Sequence, residues 1–353
     1  ALSSTLEEQR VYPGLRTMGA IVAARAAETP DREIVRFDAG PVTCGELDER
    51  SNRVGNALAA LGLERGDRVA VMLGNRHEYL DAWVGIAKQG LVEVPLNVGL
   101  RGDMLAYMLN QSGTRAIVID ASWLDRVERV APQVPGLEHV IAVGGADTTS
   151  DVVAQASLAQ ARGLRWEELL EGSPDAPAVD VHPYDTSVIL FTSGTTGASK
   201  GAVLTHNANF RLATVATIDV MSYGEDERLF SAFPLFHVNA KYTSVLPALV
   251  MDRGSLVLHD RFSASRFWDI CREENVLLVA DCVTSLGCIP RCARAVGDCQ
   301  AQLQVELEQG AGDREILKRA HTRHGEAPAV PGSPALPRLC AGPLKRHARL
   351  PSI

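Results

Sequence analysis

Residues 191–201 read Phe-Thr-Ser-Gly-Thr-Thr-Gly-Ala-Ser-Lys-Gly and follow directly on the apolar run Val188-Ile189-Leu190. A β-branched, apolar strand thus ends in a loop that gathers small donors. Thr192, Ser193, Thr195 and Thr196 bring four hydroxyls, Lys200 brings one ammonium, and the backbone adds a row of N–H groups. Gly194, Gly197 and Gly201 admit positive φ and a close approach of the main chain to a ligand. A polyphosphate is the ligand that suits such an array, held by amides, hydroxyls and a point charge. Further along, Pro234-Leu235-Phe236-His237-Val238-Asn239-Ala240 follows a strand that ends in Ser231-Ala232-Phe233. A histidine there, where strand gives way to helix, can meet a ligand at the carboxyl edge of a sheet. The plain alternatives for His237 are a helix cap or a satisfied core histidine.

The loop is not a Walker A motif. With Gly194 as the first glycine, Ser199 stands where the second Gly belongs, and Gly201 where Ser or Thr would bind Mg²⁺. A Gly/Ser/Thr linker between domains does not normally follow a buried-type strand and carry one lysine in register. The register resembles the TSGTTGxPKG signature of adenylate-forming enzymes, which include acyl-CoA synthetases, firefly luciferases and the adenylation domains of peptide synthetases. Thr192 to Gly201 fit it except at Ser199, where that family usually has Pro; serine keeps the loop polar but gives up the fixed φ of proline. Pro234 to His237 resembles the PLFH segment of acyl-CoA synthetases. Thr205-His206-Asn207 stands at the spacing of their LTHxN segment, with Thr205 or Asn207 as a helix cap. Leu58 to Val71 and Val94-Pro95-Leu96-Asn97 resemble the scaffold of the same enzymes, and the resemblance extends over residues 15–280.

The resemblance implies an acyl-CoA ligase. A carboxylate attacks the α-phosphate of ATP, giving an acyl-adenylate and pyrophosphate, and coenzyme A then displaces AMP. Thr192, Ser193, Gly194, Thr195, Thr196, Gly197 and Lys200 would hold the β- and γ-phosphates, with Thr196 beside Mg²⁺. His237 would lie beside the carboxylate and the α-phosphate as the catalytic residue. ATP, Mg²⁺, coenzyme A and a small carboxylic acid are the expected cofactors and partners. Two segments of the family do not occur in this chain: a YGxTE-like segment for adenine and Mg²⁺, and a TGD segment for ribose. The expectation is therefore a truncated ligase, inactive alone. A catalytically dead nucleotide-binding or scaffold protein is the alternative. A hydrolase with Ser193 as nucleophile is disfavoured, because that serine is not in GxSxG context.

The elements that must position these residues alternate. Helices are expected over Met18–Ala27, Cys44–Leu63, Tyr79–Lys88, Leu105–Leu109, Ala208–Val220, Ala240–Met251 and Phe262–Glu274. Strands are expected over Glu33–Phe37, Arg68–Leu73, Ala116–Ile119, Val140–Val143, Arg228–Phe233, Ser255–His259 and Val276–Ala280, with Val92–Pro95 as a connection. Such alternation implies βαβ units and an α/β fold of doubly wound sheets with helices on both faces, incomplete at the C-terminus. Residues 146–181 read as a surface loop with one short helix around Trp166–Leu170, and as a subdomain boundary. Residues 1–14 form an N-terminal segment, and 15–280 a partial AMP-binding domain. From Asp281 to Ile353 the rhythm fades and Pro, Arg and Cys become frequent. That composition suggests a shifted reading frame, with a disordered tail or a variant C-terminal domain as alternatives.

Composition narrows the classes further. A net charge of −8 over 353 residues argues against a nucleic-acid surface. No apolar run has the length to span a bilayer, and the start lacks the features of a signal peptide, so a cytoplasmic protein is expected. The seven cysteines form no CxxC pair, which speaks against zinc. Asp81 and Glu93 have no partner evident from spacing and are expected to be solvated or structural.

Overall fold

The computed structural model of the chain describes residues 17–144, 153, 156, 158–192, 199–214, 226–251, 253–263, 265–274, 276, 278–279 and 338–339. Helix α1 (Met18–Glu28) begins at Thr17, whose hydroxyl accepts from the Ala20 amide at 3.2 Å. Strands β1 (Glu33–Phe37) and β2 (Gly40–Thr43) lead into α2 (Cys44–Ala60). A capping box starts α2: the Glu46 amide donates to the Thr43 hydroxyl at 3.2 Å, and the Thr43 amide to the Glu46 carboxylate at 2.9 Å. There follow β3 (Arg68–Met72), α3 (His77–Lys88), β4 (Val92–Pro95), α4 (Gly102–Ser112), β5 (Thr114–Asp120), α5 (Leu124–Val130), β6 (His139–Val143), β7 (Arg162–Arg165) and α6 (Trp166–Leu169). The hairpin β8 (Thr186–Thr192) and β9 (Lys200–Thr205) runs into α7 (His206–Thr214). Then come β10 (Arg228–Ser231), a π-helix (Ala240–Val245) continued by α8 (Leu246–Val250), β11 (Ser255–Leu258), α9 (Phe267–Glu273), β12 (Leu278–Val279) and β13 (Arg338–Leu339).

The strands form two sheets. One has the order β7-β6-β5-β3-β4-β8-β9 and is parallel except for the β8–β9 pair. The other has the order β13-β12-β10-β11-β1-β2 and is parallel except for β1–β2. Alternation along the strands distributes the side chains between layers. In β3, Val69 and Val71 enter the large central core, while Ala70 and Met72 enter a second core on the opposite face. Ala116 and Val118 of β5 divide from Ile117 and Ile119 in the same way. In the other sheet Leu229, Leu256 and Leu258 face the central core, whereas Phe230 and Val257 pack with Phe267 and Ile270 of α9. The central core also takes in α1, α2, α3 and α8, so these helices lie between the sheets, with α4 and α5 outside one and α9 outside the other. The expected α/β class, with helices on both faces of parallel sheets, is the observed one.

Position between two sheets explains α3, which is buried from Glu78 to Lys88. A helix covered on every side must satisfy its polar groups internally. Lys88 donates to the Asp48 carboxylate at 2.7 Å and to the Asn52 side-chain oxygen at 2.6 Å. Asp81, expected solvated or structural, is fully buried and accepts from Arg50 at 2.9 Å. Its pKa is raised, because burial outweighs the neighbouring His77 and Arg50. The guanidinium of Arg25, also buried, donates to the carbonyls of Leu249 at 3.0 Å and Val250 at 2.9 Å, and so satisfies the C-terminal end of α8.

Several expectations are corrected. Val92–Pro95 is no connection but β4, paired on both sides. Lys200–Thr205, which had no assignment beyond the loop, is a strand. The helix expected over 240–251 is present, and its first part, Ala240–Val245, is a π-helix. Within 146–181, Arg162–Arg165 pairs with β6 inside the seven-stranded sheet. The expectations for 281–353 lie outside the described residues, apart from the short strand Arg338–Leu339, which pairs with Leu278–Val279.

Candidate active site

The loop sequence falls between the two strands of the β8–β9 hairpin of the seven-stranded sheet. β8 and β9 are antiparallel and in register from Val188↔Leu204 to Thr192↔Lys200, and residues 193–199 join them in the sequence. The reversal occurs at the carboxyl end of β8, next to the ends of parallel β4 and β3. Gly201 is required by close packing: a Cβ there would lie 2.8 Å from Cγ2 of Ile189. Ser193, Gly194, Thr195, Thr196 and Gly197 lie outside the described residues, as does the Thr192 side chain. Both flanks of the loop are described. On the far flank Ser199 is buried, and its carbonyl accepts from the Tyr107 hydroxyl of α4 at 2.9 Å. Lys200 is exposed, and no described residue forms a hydrogen bond or ion pair with its ammonium. A cation at the start of β9, with no carboxylate among the described residues to neutralise it, is suited to an anionic ligand.

His237 stands beyond the carboxyl end of β10, in the other sheet. Its amide donates to the Pro234 carbonyl at 2.9 Å, closing a turn that aims the side chain outward. The ring stacks on Phe233 with centroids 5.9 Å apart, and it is exposed. Nδ1 accepts from the Asn239 amide at 3.2 Å. In the neutral ring the proton therefore resides on Nε2, which has no partner among the described residues and can donate to an oxyanion. His237 is thus no core histidine; its Nδ1 caps the helical turn that begins at Val238, while Nε2 stays open among the described residues. No hydrogen bond joins His237 to Lys200; each belongs to a segment that follows the carboxyl end of a strand. Thr205 is the cap that the sequence anticipated, its hydroxyl accepting from the Ala208 amide at 3.1 Å.

Sequence reasoning missed the groups that support these two segments. Asn75 and Arg76 follow β3. Arg76 donates to both oxygens of Glu78 at 2.8 and 2.7 Å and to Asp120, at the end of β5, at 3.1 Å. Beneath His237, Lys241 of the π-helix is fully buried and paired with Glu93 of β4. The Tyr79 hydroxyl donates to the same carboxylate at 3.0 Å. The Lys241 ammonium lies 4.0 Å from the centroid of the Trp83 ring and 5.0 Å from that of Tyr79. Burial pushes this lysine down to about 8 even though Glu93 opposes the shift. A cavity of about 240 Å³ opens between β1, β11 and α9, and its lining includes neither Lys200 nor His237. Among the described residues no group of three or more His, Cys, Asp or Glu is arranged to hold a metal ion.

Two largely parallel sheets covered by helices, with Lys200 in the edge strand of one and His237 beyond a strand end of the other, are the architecture of the N-terminal domain of adenylate-forming enzymes. Residues 22–322 match the family model of the AMP-binding enzymes, and the chain belongs to that family. It is similar to the crotonobetaine/carnitine–CoA ligase of Salmonella typhi, 34% identical over 239 residues that make up 67% of this chain and 44% of that ligase. The chain thus spans about half the length of the curated relatives it matches. Among solved structures it is similar to the inhibitor-bound N-terminal domain of FACL13 from Mycobacterium tuberculosis, at 26% identity and a TM-score of 0.63, over 79% of this chain and 66% of that one. Apo MatB from Rhodopseudomonas palustris matches at 25% identity and a TM-score of 0.65, over 78% of this chain and 51% of that one. Among the described residues no helix is long and apolar enough to cross a membrane.

Proposed function

We propose that the chain carries the phosphate-binding part of an acyl-CoA ligase that joins a carboxylic acid to coenzyme A through an acyl-adenylate, at the expense of ATP. The observation that carries the reading is the β8–β9 register, which sets the ends of the phosphate-type sequence, Thr192 and Lys200, opposite each other at the carboxyl end of β8, with no partner for the Lys200 ammonium among the described residues. The CoA ligases among the relatives support the same chemistry. Lys200 and the hydroxyls of Thr192, Ser193, Thr195 and Thr196 would neutralise and orient the β- and γ-phosphates, and the glycines Gly194 and Gly197 would let the backbone approach them. A Mg²⁺ would be held by the Thr196 hydroxyl together with phosphate oxygens. His237 would donate from Nε2 to an oxygen of the reacting carboxylate or α-phosphate, where negative charge changes hands. Such chemistry is governed by positioning and by electrostatic stabilisation of the transition state.

The proposal assigns the phosphate and His237 contacts to this chain. Adenine and ribose contacts of the kind found in the family are not carried by any matching segment within its 353 residues. The 353-residue chain is therefore expected to bind ATP and to exchange pyrophosphate poorly. Titration calorimetry with ATP, together with carboxylate-dependent pyrophosphate exchange over short, medium and long acids with Mg²⁺, is the test. Absence of ATP binding would refute the reading. Binding without any exchange, even when the chain is extended to the length of its relatives, would favour a nucleotide-binding protein without catalysis.

A further inference from the structure

Asn75 lies where the two sheets meet, and its side chain has nothing to do with its own strand. It follows β3 of the seven-stranded sheet and is 6% exposed. Its amide nitrogen donates to the carbonyl of Phe233, just past β10, at 2.9 Å, and to the carbonyl of His259, just past β11, at 2.8 Å. Its amide oxygen accepts from the Leu235 N–H at 2.8 Å. Two carbonyls on one side and an N–H on the other fix the orientation of the amide, since the flipped form would set oxygen against oxygen. Leu235 itself is fully buried in the central core. Two residues on comes His237, reached through the turn that begins at Pro234.

We infer that Asn75 is a positioning residue for His237: a single buried amide ties the carboxyl ends of β3, β10 and β11 together and sets the point from which His237 leaves the sheet. The segment 232–239 lies outside any sheet ladder, and among the described residues the Leu235 amide has no partner besides this side chain. No other common side chain of this size supplies two donors and an acceptor in one plane. Aspartate keeps the shape but turns a carboxylate toward two carbonyl oxygens. Serine and alanine leave buried backbone groups unsatisfied. The inference rests on the reading of His237 as a group of the reaction centre, and the experiment separates the two.

The full 353-residue chain, with ¹⁵N-labelled histidine, is compared with Asn75→Ala, Asn75→Ser and Asn75→Asp by hydrogen exchange and by the ring signals of His237. In the wild type the Leu235 amide should exchange as slowly as amides of the sheets, although it lies in no strand. In the variants it should exchange at least tenfold faster and the His237 ring signals should move, while the amides of β5 and the ring of His139 on β6 stay as they were. A rapidly exchanging Leu235 amide in the wild type overturns the inference without any variant, which covers the case in which Asn75→Ala does not fold. Unchanged His237 signals in the variants also overturn it, and so does an equal loss of protection across β5, which would make Asn75 a general stabiliser of the fold. Asn75→Ala should also lower any pyrophosphate exchange in kcat more than in KM. If His237→Ala leaves that exchange untouched while the Leu235 and ring results hold, the reading of His237 fails and the clamp stands.

Discussion

Lys241 and Glu93 give the sharpest test of how the interior beneath the candidate site is built. Both are at most 1% exposed, and between them they hold an ammonium and a carboxylate in a layer otherwise made of Trp83, Tyr79, Tyr242 and aliphatic side chains. Taking one partner away strands the other. Lys241→Met leaves the Glu93 carboxylate with only the Tyr79 hydroxyl, and the loss should be about 3–5 kcal/mol of folding stability. Glu93→Gln strands the ammonium instead and should cost a similar amount, moderated because the lysine, already pushed down to about 8 by burial, can shed its proton. The double variant removes both charges. Methionine fills much of the lysine's volume, and glutamine still accepts from Tyr79. It should fall within about 1 kcal/mol of the wild type, since the pair's attraction barely offsets its desolvation. The downward shift of Lys241 indicates the same balance, because burial prevails there over the carboxylate. Urea unfolding of the four proteins provides the measurement, with Trp83 fluorescence as the local reporter, and the coupling energy follows from the cycle. A Lys241→Met loss under about 1 kcal/mol, or a double variant as unstable as the sum of the single ones, would refute the argument that the pair is desolvated and mutually dependent.

Three further outcomes are expected. Lys200→Ala should weaken ATP binding roughly ten- to a hundredfold in calorimetry, the equivalent of one charge-assisted contact; equal affinities would remove Lys200 from the site. Tyr107→Phe deletes the 2.9 Å bond to the Ser199 carbonyl and should lower ATP affinity up to about fivefold, with an unchanged circular dichroism spectrum. His206 is 2% exposed, and burial pushes its imidazole down to about 4, against an ordinary value of 6.5, with Asp185 opposing weakly. The unfolded chain therefore takes the proton first. The contribution is fully present above about 6.5, and up to about 3 kcal/mol is lost as pH falls toward 4. The urea midpoint of wild type should drop over that interval more steeply than that of His206→Leu, and parallel curves would show that the ring is not buried neutral.

Residues that act through their own neighbourhood were legible in the sequence, and those that act across the fold were not. The phosphate loop is a run of eleven consecutive residues, so its chemistry could be read directly, and the strand before it was marked by Val188-Ile189-Leu190. The α/β class followed from periodicities that the two sheets preserve almost strand by strand. β9 escaped because its first four residues are all exposed and carry no alternation, so that it reads as a continuation of the loop. β4 escaped for the opposite reason: Val92 to Pro95 are all buried, with a glutamate and a proline among them, and a strand covered on both faces has no period of two to betray it. The charge of Glu93 suggested solvent, yet its partner lies 148 residues away on a π-helix, whose wider turn no local pattern announces. Asn75 is the extreme case. An asparagine between a strand and a helix looks like turn chemistry, and its 158- and 184-residue reach to Phe233 and His259 exists only after the two sheets have met. The loop that would touch phosphate could therefore be named from its own residues, whereas the residues that would hold His237 in place became visible only when both sheets were folded.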